Sequence, residues 1–220
     1  MGDRAAKNAL FDQFARVGKA LSSGKRLELL DLLAQGERTV DGLARACELG
    51  LSTASAHLQT LKAANLVTTR REGTKVIYRL AGTDVAQLLA LVRTVASEHL
   101  PDVEAAARAY LGQGTEEVTR DELLDRIKTG QITVIDVRPR EEYDAGHIPS
   151  AVSAPLDELA DYLAELPADH AIVAYCRGAY CVLAHEAVRL LIEQGYTAVR
   201  LSDGMLEWRL ADLPVAMSCQ

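Results

Sequence analysis

The sequence of 220 residues has few cysteines and aromatic residues, and it lacks any long apolar run. No segment approaches the roughly 20 apolar residues of a membrane-spanning helix, and the first residues lack the pattern of a secretory signal peptide. We therefore expect a cytoplasmic protein that does not contact a membrane. In that reducing compartment the cysteines are expected to be reactive, metal-bound or buried rather than paired in structural disulfides. The four cysteines are Cys47, Cys176, Cys181 and Cys219.

Charge is distributed unevenly along the chain, although apolar residues (49%) and charged residues (25%) occur in proportions typical of a globular protein with a core. The net charge is −7. Residues 1–100 hold 14 Lys and Arg against 10 Asp and Glu, whereas residues 101–220 hold 10 against 21. This asymmetry indicates two modules, with nucleic acid as a candidate partner of the basic one.

The first half predicts short helices followed by one hairpin. Apolar residues recur at helical spacing in two segments before Gly36, and a short helix begins at Thr39 as its cap. A further helix follows Gly50, with Ser52 as its expected N-cap. Two β-rich runs then flank Gly73. A short helix, a turn, a second helix and a hairpin together predict a winged helix-turn-helix.

An apolar stripe at helical spacing runs from Thr83 to His99. The winged helix has too little core left to cover this stripe, so we expect it to pack against the same helix of a second subunit. Pro101 opens another helical stretch, and glycine and charge then interrupt the periodicity. The predicted domains are residues 1–100, a helical linker over 101–116, and residues 117–220.

The second half alternates between strand and helix patterns. Apolar runs predict strands over 132–137, 171–175 and 197–201, and helical spacing predicts helices over 157–167, 182–195 and 204–214. Such alternation implies βα crossovers and an α/β domain with a mostly parallel sheet. Chemistry in such sheets gathers at the carboxyl ends of the strands.

The segment YCRGAYC, residues 175–181, lies at such a strand end and raises three alternatives: a disulfide, a metal site or a nucleophile. Backbone N–H groups and the positive end of the next helix would favour the thiolate of Cys176. Arg177 adds a cation, and Gly178 permits a tight turn. Zinc would need more ligands than this pair and His185 supply. We therefore interpret Cys176 as the catalytic nucleophile, in an active-site loop of Arg177, Gly178, Ala179, Tyr180 and Cys181.

Three ordered motifs in the second half resemble the signatures of the rhodanese family. They are VIDVRPREEYDAGHIPSA (134–151), YCRGAYC with its following helix, and LSDGMLEWRLADLPV (201–215). The resemblance spans about residues 117–216 and implies a protein that carries sulfane sulfur as a persulfide on Cys176. The implied partners are small sulfur species: thiosulfate, a persulfide or a polysulfide. No cofactor or metal is expected.

Two residues at the end of the loop, Cys181 and Val182, differ from those of related families and narrow the range of possible reactions. The residue six positions after Cys176 is Val182, so the Cys-x5-Arg motif of related phosphatases and arsenate reductases is absent. Many single-domain rhodaneses have a basic or small residue where this chain has Cys181. A second thiol there can resolve a Cys176 persulfide to a disulfide with HS⁻ as the leaving group, or to a trisulfide if an oxidant takes up two electrons. The alternative is that Cys181 only packs beneath the start of the helix.

Residues 19–80 resemble the ArsR family of dimeric bacterial repressors, most specifically in the segment LSTASAHLQTLKAANLV. The resemblance implies a homodimer that binds double-stranded DNA at a palindromic operator. The predicted DNA-binding residues are Ser52, Thr53, Ser55, Ala56, His57, Gln59 and Thr60 on the recognition helix, and Arg70, Arg71 and Lys75 on the wing. A solvated polar helix with an ordinary hairpin is the alternative.

These modules together predict a transcriptional regulator, expected to be a repressor, whose second domain senses or carries reactive sulfur. One alternative is a sulfurtransferase enzyme in which the winged helix serves dimerisation or partner binding. A second alternative is a repressor that responds to a metal or metalloid. For that role the first domain offers Cys47, Asp84, Glu98 and His99, without a clear pair of ligand sets. Cys47 lies at an apolar position, which favours core packing.

Overall fold

The computed structural model describes residues 3–112, 114–130, 132–162 and 171–218. The chain divides into two compact units, Met1–Leu89 and Ala90–Gln220. The domain limits given above, at residues 100 and 116, stay a prediction. Among the helices of the described residues, none combines the length and apolarity that a bilayer span requires.

The first unit is the predicted winged helix-turn-helix. Its helices are α1 Arg4–Leu21, α2 Gly24–Gln35, α3 Val40–Ala46 and α4 Leu51–Ala63, and its strands are β1 Arg38–Thr39, β2 Val67–Glu72 and β3 Lys75–Leu80. Helix α5, Thr83–His99, begins in this unit and has the predicted bounds. The strands form an antiparallel sheet in the order β1-β3-β2. Gly73, with φ +58°, turns the chain between β2 and β3, as expected for a residue without a Cβ.

The capping prediction is confirmed for α3 and wrong for α4. The Thr39 hydroxyl accepts the N–H of Gly42 at 3.2 Å, so Thr39 caps α3. Helix α4 begins two residues earlier than expected, at Leu51, and its N-cap is Gly50 rather than Ser52. The Gly50 carbonyl accepts the N–H of Ala54 at 3.0 Å, which closes the first turn and leaves Ser52 inside the helix.

Helices α1 and α5 each expose large apolar side chains. The core of the first unit is formed by leucines of α2, α3 and α4. Leu10, Phe11 and Phe14 on α1 are each more than half exposed, as is Leu91 on α5, and Val95 is close to half exposed. Large apolar side chains exposed at helical spacing are typical of an interface with another molecule.

The second unit is an α/β domain around a five-stranded parallel sheet in the order β4-β8-β7-β5-β6, which confirms the predicted fold class. The strands are β4 Glu117–Val118, β5 Ile132–Asp136, β6 Val152–Ser153, β7 Ala171–Tyr175 and β8 Ala198–Leu201. The helices are α6 Asp102–Leu111, α7 Arg120–Thr129, α8 Arg140–Asp144, α9 Leu159–Tyr162, α10 Val182–Glu193 and α11 Met205–Leu210. Residues 163–167 of the helix predicted over 157–167, and Cys219, lie outside the described residues.

Helix α7 was not among the predicted elements, although its ends carry recognisable signals. Thr119 and Glu122 form a reciprocal capping box, and Gly130 ends the helix with φ +68°. Within this helix only Leu123 is fully buried, so the segment needs few apolar residues. In a helix with so narrow an apolar face, the helical spacing of apolar residues is hard to recognise in the sequence.

Alternate side chains of β7 enter two separate cores on the two faces of the sheet. Ile172 and Ala174 pack in one cluster with α10, whereas Val173 and Tyr175 pack in the other with α11. This burial on both faces explains why AIVAY is a continuous apolar run rather than an alternating one. Cys176 follows directly at the carboxyl end of β7 and belongs to the cluster that contains α10.

Candidate functional site

The cysteine loop of residues 176–181 joins the central strand β7 to helix α10, as predicted. Cys181 is the N-cap residue of α10, and its N–H donates to the Gly178 carbonyl at 3.0 Å, which closes the loop into a turn. Neighbouring strands β5 and β8 also end at this edge. The loop therefore lies where an α/β sheet places its chemistry.

The Cys176 thiol is buried, with a relative exposure of 2%. It donates to the Cys181 carbonyl at 3.4 Å and lies 3.9 Å from the Gly178 carbonyl. Burial raises the pKa of Cys176 well above its usual range, and the hydrogen bond with Cys181 adds to the rise. The N–H groups of Ala184 and Gly178 act in the opposite direction, as expected from the sequence, but they are the smaller effect. In this conformation burial outweighs the N–H groups, so the thiol form of Cys176 is favoured.

Cys181 has the opposite tendency. The hydrogen bond from the Cys176 thiol lowers the pKa of Cys181, and the nearby charge of Arg177 contributes in the same direction. Cys181 is therefore the thiol of the pair that ionises first, and the Cys176 sulfur lies 3.4 Å from the Cys181 carbonyl oxygen. Such a pair can transfer a proton between its members and can undergo thiol exchange.

Arg177 is bound by a carboxylate that the sequence analysis did not single out. Its Nε lies 3.0 Å from both carboxylate oxygens of Glu142, and its Nη2 lies 2.7 Å from Oε1. The Glu142 side chain is 1% exposed, so this pair is buried on the carboxylate side. The arginine fastens the loop to α8, and the carboxylate compensates most of its charge. The glutamate is present in the motif over 134–151, but the sequence does not show which loop it meets.

The start of α11 packs directly on the backbone of the loop. The N–H groups of Met205 and Leu206 donate to the carbonyls of Cys176 and Arg177 at 2.9 and 3.1 Å. A Cβ on Gly204 would lie 2.2 Å from the backbone nitrogen of Gly178, so only glycine permits this approach. The loop is thus held by the last motif of the sequence as well as by Glu142.

A carboxylate also faces the loop from α11. The oxygens of Glu207 lie 3.1 and 3.2 Å from the position of a Cβ on Gly178, and Oε2 accepts the N–H of Gly204 at 3.0 Å. Burial raises the pKa of Glu207, whereas the charge of Arg93 lowers it. This side of the loop therefore carries a carboxylate and a guanidinium together.

A buried polar network supports the strand end that precedes Cys176. Arg138 and Asp136 form an ion pair with both side chains inaccessible to solvent, and Nη2 lies 2.6 Å from Oδ2. The Tyr175 hydroxyl donates to Asp136 at 2.6 Å and accepts the N–H of Ile148 at 3.0 Å. Because each group has partners, the network positions the backbone rather than offering a reactive group.

His185, the nearby candidate for a metal ligand, lies on α10. Its Nδ1 is 3.3 Å from the Thr115 hydroxyl. Burial lowers the pKa of His185 to about 4, with the charges of Arg200 and Arg189 contributing. Within the part of the chain that the structure describes, no three His, Cys, Asp or Glu side chains are grouped so as to hold a metal ion.

The predicted recognition helix α4 presents most of its polar side chains to solvent. Ser52, Thr53, Ala56, Gln59 and Thr60 are exposed, and Ser55 and His57 are half-buried. The Gln59 amide donates to the Tyr78 hydroxyl at 3.1 Å, and the Thr60 hydroxyl donates to the Ala56 carbonyl at 3.1 Å. The opposite face is anchored by buried Ala54, Leu58 and Leu61.

The three basic residues of the wing differ in their surroundings. Arg70 lies 2.7 Å from Glu37 and 2.7 Å from Glu72, so two carboxylates compensate its charge. Arg71 and Lys75 are exposed on either side of the Gly73 turn. These two are therefore better placed than Arg70 to bind an external anion.

A winged helix-turn-helix followed by a parallel-sheet domain with a cysteine loop defines a helix-turn-helix regulator that carries a rhodanese-like domain. Comparison with known families agrees: residues 23–69 match the model described as bacterial regulatory protein, arsR family, and residues 119–211 match the rhodanese-like domain. The chain is 59% identical over 214 residues to the HTH-type transcriptional regulator Rv0324 of Mycobacterium tuberculosis, covering 97% of this chain and 95% of that protein. The chain therefore belongs to the ArsR family of regulators, with a rhodanese-like domain as its second half.

Two further similarities each concern one half of the chain. A sulfurtransferase of Allochromatium vinosum is 30% identical over 101 residues, which is 45% of this chain and 92% of that protein. A homodimeric winged helix-turn-helix DNA-binding domain from Mycobacterium bovis, solved by solution NMR, is 60% identical with a TM-score of 0.42. That match covers 46% of this chain and 93% of the solved domain.

Proposed function

We propose that this chain is a dimeric repressor that binds a palindromic site in double-stranded DNA and accepts sulfane sulfur as a persulfide on Cys176. The observation that carries the sulfur chemistry is the loop at the carboxyl end of β7, in which the Cys176 thiol donates to the carbonyl of Cys181, a second cysteine, at 3.4 Å. Family membership supports the regulatory part, and a DNA-binding regulator acts in the cytoplasm.

The proposed sulfur step uses both thiols. The Cys181 thiolate takes the proton of Cys176, and the Cys176 thiolate attacks the terminal sulfur of a donor R–S–SH. The S–S bond of the donor breaks, RS⁻ leaves, and Cys176 carries the persulfide. After solvent removes the proton from Cys181, its thiolate attacks the Cys176 sulfur. HS⁻ then leaves, and a Cys176–Cys181 disulfide forms.

The proposed signal is a change in the conformation of the cysteine loop that alters the affinity of the protein for DNA. A bridge between Cys176 and Cys181 moves the N-cap of α10, because Cys181 is that residue. A difference of only about 1.4 kcal/mol in the free energy of DNA binding between the reduced and bridged states changes affinity about tenfold.

Binding to DNA is proposed through α4 and the wing. The small and polar side chains on the exposed face of α4 admit it to a major groove, and Arg71 and Lys75 supply phosphate contacts. The exposed apolar residues of α1 and α5 are proposed to form the dimer interface, since a second copy would remove them from water.

The test is DNA binding of the wild type and of Cys176→Ser, each reduced and after treatment with sodium tetrasulfide. We expect tetrasulfide to change wild-type affinity about tenfold and to leave Cys176→Ser unchanged. Mass spectrometry should show added sulfur on Cys176. Sulfur added at Cys47 with Cys176 spared would overturn the assignment of the nucleophile.

The alternative function is that of a sulfurtransferase, and the similarity to a protein of that name favours testing it. Steady-state turnover with thiosulfate or polysulfide and cyanide as the acceptor separates the two proposals. A regulator needs one sulfur transfer per response, whereas an enzyme turns over many times. Fast turnover without salt-sensitive DNA binding in either redox state would identify the enzyme.

A further inference from the structure

An apolar cavity of about 370 Å³ opens beside the cysteine loop, and the proposed function does not use it. Its lining residues all belong to the second unit: Arg93, Ala96, Val103, Ala106, Ala107, Tyr110 and Tyr180. Nearly all of the lining surface is apolar. The volume falls at the small end of the range of about 300–1,000 Å³ for pockets that hold small organic ligands.

The cavity lies on a different side of α5 from the exposed apolar stripe. Arg93 and Ala96 line the cavity, whereas Leu91 and Val95 are exposed elsewhere on the helix. Residues two positions apart on a helix point in directions that differ by roughly 200°. Self-association through Leu91 and Val95 therefore does not require the cavity to be filled.

Tyr180 connects the cavity to the sulfur chemistry. It forms part of the cavity wall and belongs to the loop of residues 176–181, one residue before Cys181. A molecule that occupies the cavity contacts the same loop that carries the two thiols.

The charges around the loop argue against a small dianion as the preferred sulfur donor. The Arg177 guanidinium is bound by Glu142 through both of its carboxylate oxygens. On the Gly178 side, the carboxylate of Glu207 lies within 3.2 Å of the Cβ position, close to Arg93. Cation and anion thus occur together at this loop, so thiosulfate gains little net attraction.

We propose that the cavity is a donor-binding site for organic persulfides, R–S–SH, in which R is an apolar or aromatic group. This proposal rests on the proposed function, because it names the donor for the persulfide on Cys176. The group R occupies the cavity against Tyr180, and the terminal sulfur meets the Cys176 thiolate. The S–S bond of the donor breaks, the sulfane sulfur stays on Cys176, and RS⁻ leaves with R.

The test compares two donors on three proteins. The donors are benzyl persulfide, which has an aromatic R, and sodium tetrasulfide, which has none. The proteins are the wild type, Ala106→Phe, which fills the cavity, and Ala105→Phe, which adds the same ring at an exposed position of α6 outside the seven lining residues. The measurement is the rate at which Cys176 acquires sulfur, followed by mass spectrometry at increasing donor concentration.

We expect Ala106→Phe to raise the half-saturating concentration of benzyl persulfide about tenfold, since the ring of the donor loses its apolar contacts. Its rate with tetrasulfide should stay within twofold of the wild type, and Ala105→Phe should match the wild type with both donors. The tetrasulfide arm also shows that Ala106→Phe is folded.

Two outcomes separate this proposal from the one on which it rests. If neither donor adds sulfur to Cys176, the proposed sulfur chemistry fails, and the cavity proposal fails with it. If tetrasulfide adds sulfur, but benzyl persulfide reacts equally well with wild type and Ala106→Phe, only the cavity proposal is overturned.

Discussion

Gly204→Ala is the substitution whose effect can be worked out most directly from the structure. Gly204 has φ −149° and ψ −164°, an extended conformation that alanine adopts without backbone strain. Any effect must therefore come from the added methyl group. Its Cβ would lie 2.2 Å from the nitrogen and 2.4 Å from the Cα of Gly178, and 2.5 Å from the carbonyl carbon of Arg177.

The magnitude follows from what must move. Ordinary contact begins near 3.4 Å, so the loop and α11 must separate by about 1 Å. Overpacking of this kind costs about 1–3 kcal/mol. The separation also weakens two hydrogen bonds, from Met205 to Cys176 and from Leu206 to Arg177, worth about 1 kcal/mol each. We expect the free energy of unfolding of the second unit to fall by about 3–5 kcal/mol and its Tm by roughly 10–15 °C.

The assay is calorimetry of the full chain together with the rate of Cys176 modification by tetrasulfide. We expect the modification rate to change as well, because the loop that holds Cys176 has shifted. Gly114→Ala is the matched control, since its Cβ would meet no atom within 4 Å, and its stability should stay within about 0.5 kcal/mol of the wild type. Wild-type stability and reactivity in Gly204→Ala would refute the close approach of helix and loop.

Three further predictions concern the wing, the second thiol and a buried histidine. Arg71→Ala should weaken DNA binding on all sequences and reduce the slope of log affinity against log salt by about one. Arg70→Ala should reduce this slope less, because two carboxylates already compensate the charge of Arg70. Equal reductions in a salt titration would contradict this prediction. Cys181→Ala should still accept sulfur at Cys176 but lose the tetrasulfide-dependent change in DNA affinity; a wild-type response would make Cys181 a packing residue. His185 is neutral in the folded state down to pH about 4, whereas its usual pKa is 6.5, so the unfolded state binds more protons between these values. The free energy of unfolding should therefore fall by at most about 3 kcal/mol as pH drops from 6.5 to 4, and chemical denaturation of His185→Leu over this range should show a smaller fall.

Features that depend on near neighbours in the chain follow from the amino-acid sequence alone. The apolar stripe from Thr83 to His99 specifies α5 with its observed bounds, because helical spacing is a property of one segment. The run AIVAY specifies a strand buried on both faces for the same reason. The position of Cys176 between strand and helix follows from the order of these patterns. The predicted N-cap Ser52 was wrong by two residues because cap geometry depends on the backbone angles of Gly50.

The chemical state of the site depends on contacts between residues that are far apart in the sequence. The motifs contain Glu142 and Arg177, but their ion pair joins residues 35 positions apart. The loop sequence indicates N–H groups around the Cys176 sulfur, yet burial among side chains of β7 and α10 reverses the expected direction of its pKa. The cavity beside Tyr180 exists because α5 and α6 approach that loop. Burial and charge depend on the summed contacts of distant segments, and a local pattern in the sequence carries no information about that sum.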